Sequence, residues 1–160
     1  MTIQEAVDRL RRRDHLPLFV SEVWDRDLDA ALRDAKPEEL FPGREIRDPR
    51  MAACALAGLH LWNDNFASSH NLSQGLATPT GSYWHGIAHR REGHAGEGLQ
   101  ANLANAKYWF RQVGDHPAFD PVYRAALNAL DGQVGFRWAT ETQDLLRARR
   151  RWDPFAFIDW

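Results

Sequence analysis

Apolar positions in this chain recur every three or four residues rather than every second one, the spacing of amphipathic helices rather than of half-buried strands. Ile3, Ala6, Val7 and Leu10 follow Thr2 and Glu5, a capping-box pattern, so a first helix is predicted over about residues 3–13. Pro17 closes that segment. Val23, Trp24, Leu28, Ala31 and Leu32 mark a second helix, capped by Ser21 and ended before Pro37. Residues 36–47, with Pro37, Pro42 and Gly43, read as a connector. Asp48 and Pro49 open a third helix that is apolar on nearly every side as far as Trp62, the pattern of a buried helix.

Residues 65–81 are rich in Ser, Thr and Asn and read as a long polar connection with one helical turn, a kind of segment that is often functional. Ser82 or Thr80 caps the next helix, about 83–92, and Gly93 ends it. Leu99, Leu103, Ala106, Trp109, Phe110 and Val113 trace a helix ending at Gly114, and Asp120 with Pro121 starts another through Leu130. A last helix is predicted near 138–151, and the aromatic end, WDPFAFIDW, is expected to pack back onto the core. Trp24, Trp138, Trp152 and Trp160 are expected inside that core. Isoleucine and valine are few and sustained alternation is absent, so strands are not expected. The pattern therefore predicts an all-α fold: one domain over residues 1–160, six or seven helices, and a long polar connection around 65–81.

Composition adds little to this and removes several classes of function. With 44% hydrophobic and 26% charged residues, the chain has the make-up of a soluble globular domain. No apolar window is long enough to span a bilayer, so no membrane partner and a cytoplasmic location are expected. The net charge of −2 offers no global field for nucleic acid, and the arginine runs 9–13 and 147–151 fall in helical patterns with acidic neighbours, as solvated faces do. The single cysteine, Cys54, lies in an apolar run and reads as an inert buried thiol. GxGxxG, P-loop, GxSxG, CxxC and HExxH signatures are absent, which leaves no support for a nucleotide cofactor, a hydrolase elbow or a zinc ribbon. The sequence leaves the oligomeric state unknown.

The candidate chemistry lies in the stretch GSYWHGIAHRREGH. His85, His89 and Glu92 stand at i, i+4 and i+7 of the predicted helix and project from one face. Two imidazoles and a carboxylate are a donor set for a divalent transition metal such as Zn, Mn, Fe or Ni, provided another element supplies a further ligand. His60, near the end of the buried third helix, is the expected partner, with Asp64 at i+4 fixing its tautomer. His70 and Asp64 are the expected proton movers. Lys107 and Arg111, also i and i+4, can hold an anionic group of a substrate. Trp62, Tyr83 and Trp84, with Trp109, can line its pocket. The expected function is a metal-assisted lyase, isomerase or hydrolase acting on a small polar molecule. Two alternatives stand beside it: a metal-independent enzyme with His85 as general base, and a non-catalytic module that binds a sugar or another small ligand through Trp62, Trp84 and Trp109. His94 and His116 read as loop residues.

Overall fold

A computed structural model describes residues 1–19, 22–92, 98–131, 133 and 135–159. Among them the secondary structure is entirely helical: α1 (Ile3–Leu10), α2 (Arg26–Asp34), a 3₁₀ turn (Pro37–Leu40), α3 (Pro49–Trp62), α4 (Phe66–Gln74), α5 (Pro79–Glu92), α6 (Leu99–Val113), α7 (Phe119–Asp131), α8 (Arg137–Arg149) and α9 (Pro154–Asp159). None of these helices is long and apolar enough to cross a membrane. Ser21, Gly93, His94 and Trp160, read from the sequence as a cap, a helix end, a loop residue and a core residue, lie outside the described residues.

Local chemistry sets the helix starts. Thr2 and Glu5 make the reciprocal capping box of α1. Asp25, not Ser21, caps α2 by accepting from Leu28 N at 2.9 Å, which leaves Trp24 outside the helix. Asp48 caps α3 with Pro49 at its first position. The polar stretch 65–81, expected as a connection with one turn, contains α4: Asn65 accepts from Ser68 N at 2.9 Å and satisfies one of the orphan donors of that helix. Thr78, rather than Thr80 or Ser82, sits before α5, its hydroxyl accepting from Gly81 N at 3.0 Å, and Pro79 opens the helix. The polar side chains of this region therefore start two helices instead of interrupting one.

The helices fall into two compact units, residues 1–113 and 114–160. In the first, Ala6, Leu10, Leu28, Leu32, Leu40, Leu56 and Leu59 form a closed apolar cluster that joins α1, α2, the 3₁₀ turn and α3. Helix α5 packs against α3, α4 and α6, and most of its residues are buried. Two glycines let these helices approach: a Cβ on Gly58 would lie 2.8 Å from the Trp84 ring, and one on Gly86 would lie 2.8 Å from the Phe110 ring. In the second unit α7 pairs with α8, and Trp152 and Ile158 are buried beside the short α9. Trp24 and Trp138, expected in the core, are 40% and 57% exposed. Trp24 instead receives the Arg13 guanidinium over its ring at 5.5 Å.

Candidate metal centre

Helix α5 carries His85 and His89 one turn apart, and α4 brings His70 against them. One ligating nitrogen from each of these three residues lies within 4.8 Å of the others. The ring centroids of His70 and His85 are 4.3 Å apart, and those of His85 and His89 are 4.7 Å apart. His85 and His89 are buried and His70 is half-buried.

Hydrogen-bond partners around the cluster are compatible with a tautomer that aims two lone pairs at one point. Ser73 Oγ lies 3.3 Å from the His70 carbonyl, to which it donates, and 3.1 Å from His85 Nδ1; with its proton on the carbonyl it accepts from Nδ1–H of His85. In that tautomer His85 Nε2 is a bare lone pair. On His89, Nδ1 faces the Glu92 carboxylate at 3.0 Å, at ion-pair distance though without the angle of a hydrogen bond. Asn105, from α6, donates its amide N–H to His89 Nε2 at 2.9 Å. The second lone pair is thus also on an Nε2, and the two Nε2 atoms are 3.0 Å apart.

Two acceptor nitrogens at that distance repel unless a positive charge, a proton or a metal ion, lies with them. The span suits an ion: nitrogens 3.0 Å apart, each bonded at about 2.0–2.1 Å, subtend on the order of 95°. His70, the least buried of the three, has the freedom to close the set toward the roughly 3.4 Å separations of a tetrahedral centre.

Electrostatics favour the same state. Burial, reinforced by His70 and His89, pushes His85 down to about 4, which keeps its ring neutral and able to ligate at pH 7. Contact with His89 holds the Glu92 carboxyl below its ordinary range, so it stands as a carboxylate behind the His89 ring. A carboxylate on the far nitrogen of a ligating histidine orients the ring and raises its basicity. Trp109, one turn beyond Asn105 on α6, closes the cluster with its ring 4.1 Å from that of His85.

The remaining residues singled out in the sequence fall elsewhere. His60 does not belong to the cluster: its Nδ1 lies 3.9 Å from the buried Asp29, which Asn65 and Arg33 also hold. Asp64 does not hydrogen-bond His60, because α3 ends at Trp62 and Asp64 takes φ +64, where the i, i+4 relation of a helix no longer holds. Its carboxylate is gripped by two buried arginines, Arg13 and Arg91 (Nη2 to Oδ1, 2.7 Å), which also cap the carbonyls of Trp62 and Leu61 at the end of α3. Glu92 sits behind His89 rather than in the ligand group. Lys107 and Arg111 lie roughly half a turn around α6 from Asn105 and Trp109, so they face away from the cluster.

Tyr83 is buried between Trp84 and Phe110, at centroid distances of 5.1 and 5.8 Å. Trp62 and Trp84 line a separate cavity of about 410 Å³ whose other walls are Ile3, Leu16, Ala55, Gly58, Leu59, Leu61, Ile87 and Arg91. Among the described residues, its only charged wall residue is Arg91, already bonded to Asp64. Sequence reading missed Ser73 and Asn105 as partners of the histidines. Ser73 had a signal, its i+3 spacing from His70, whereas Asn105 had none because α6 meets α5 only in the folded chain. Comparison with protein-family models, with curated proteins and with solved structures yields no match.

Proposed function

We propose that the protein is a small metal-dependent enzyme that binds a divalent transition ion through His70, His85 and His89 and acts on a small polar molecule. The observation that carries this reading is the pair of Nε2 atoms 3.0 Å apart, with a third imidazole nitrogen within 4.8 Å. Three imidazole ligands suit zinc, nickel, cobalt or ferrous iron better than hard cations such as magnesium or calcium. Such an ion supplies Lewis-acid polarisation of a substrate oxygen at a position that the three histidines leave open. Ser73 and Glu92 keep the ligating nitrogens aimed inward, and Trp109 keeps water from the back of the cluster. Asp64, neutralised by two arginines, is a structural group in this reading.

Metal analysis of protein purified without a histidine tag tests the proposal. One equivalent of metal is expected in the unmodified chain and in His116→Ala, with loss in His70→Ala, His85→Ala and His89→Ala at retained helicity. Turnover of small esters, amides or hydroxy acids should stop on chelation and return with the ion. Protein that neither holds metal nor shifts its melting temperature with added Zn, Ni, Co or Fe contradicts it.

A further inference from the structure

We infer that the Asn105 amide selects the substrate at the open side of the histidine cluster, and that this substrate presents a single carbonyl or carboxylate oxygen rather than a phosphate. The inference rests on the metal reading above and concerns what that centre accepts. Asn105 Nδ2 donates to His89 Nε2, the lone pair that an ion takes. When the ion is held, the amide N–H loses its acceptor and stands beside the ion, half-buried and next to the vacated direction. A donor left unpaired in such a place is costly, and an oxygen brought to the open position restores the bond.

Other groups back the rings of the pair. Ser73 covers the outer nitrogen of His85, Glu92 that of His89, and the Trp109 ring lies 4.1 Å from His85. His70 and Asn105 are both half-buried, and the proposed approach is from their side.

The charges around this opening set the class of ligand. Lys107 and Arg111 face away from it, Arg91 is bound to Asp64, and Arg90 lies over Phe19 at 5.9 Å. No guanidinium or ammonium among the described residues thus joins Asn105 on the cluster, whereas the Glu92 carboxylate stands behind it. One amide and one ion suit a neutral carbonyl or a monoanionic carboxylate. A phosphate dianion calls for the arginine or lysine clamps that this face lacks.

The test uses the full chain, stripped by chelator and reloaded with cobalt(II), whose visible spectrum reports ligands at the ion. Acetate is expected to perturb the spectrum at lower concentration than inorganic phosphate. Asn105→Leu should leave cobalt affinity within about threefold and weaken acetate about tenfold, the scale of one hydrogen bond to a charged group. Asn105→Ser, which retains a donor and less bulk, should restore part of that affinity and guards against a packing artefact of leucine. Unchanged acetate affinity in cobalt-loaded Asn105→Leu overturns the role of Asn105, as does tighter binding of phosphate than of acetate. A tenfold loss of cobalt affinity in both variants makes the amide a ligand and likewise overturns it. Failure of the unmodified chain to bind cobalt is a different result, which removes the metal reading itself.

Discussion

At the residue scale, the buried charges near the end of α3 have a purpose distinct from chemistry. Asp64 is the counter-charge of Arg13 and Arg91, whose side chains are only 7% and 5% exposed. Removing it leaves two guanidinium groups buried without compensation, so Asp64→Ala should destabilise the fold by about 3–5 kcal/mol in urea titration. A loss below about 1 kcal/mol would show that the arginines are readily hydrated and the triad is peripheral. His60 makes a second prediction at this scale. Burial lowers its affinity for a proton, Arg33 adds to that, and Asp29 opposes it. The folded-state pKa therefore lies below the unfolded one, and the unfolded chain takes up the proton first. The stabilising contribution is complete above about pH 6.5, the ordinary imidazole value, and declines as pH falls below it. His85 has the same sign. His60→Leu should accordingly lose less stability than the unmodified chain between pH 7.5 and 5; equal losses would mean that the ring is solvated.

At the scale of elements, the cluster depends on how closely α5 meets its neighbours. Gly86 carries this contact, since a methyl group there would press on Phe110 at 2.8 Å. Gly86→Ala should cost about 1–3 kcal/mol and shift Asn105 and Trp109, both on α6, away from the histidines. Gly75→Ala, whose new methyl would meet only the Leu72 carbonyl at 3.8 Å, is the matched control, and comparable melting temperatures for the two variants would contradict this packing. Most of these elements were legible in the sequence. Asp48 with Pro49 marks the start of α3, and the apolar stripe from Leu99 to Val113 coincides with α6, because caps and periodicity are local signals. Helix α4 was hidden because Ser, Thr and Asn favour caps and turns, and its one-sided burial, at Ser69 and Ser73, falls on polar residues.

At the scale of the molecule, every residue of the proposed centre lies in the unit formed by residues 1–113. The i, i+4 spacing of His85 and His89 was visible because both stand on one helix. The choice between His60 and His70 as their partner was not, because it depends on how α3 and α4 pack around α5. Burial favoured His60, yet its ring turns to Asp29, while the half-buried His70 meets the pair. The tryptophans divide in the same way: Trp109 joins the cluster, and Trp62 and Trp84 line the apolar cavity. The central claim is that three imidazoles hold one ion, and X-ray absorption spectroscopy of the zinc-loaded full-length protein tests it most directly. The expected result is a coordination sphere containing three imidazole nitrogens at about 2.0–2.1 Å. A sphere of oxygen atoms with one imidazole or none, or zinc lost on dialysis, would contradict it.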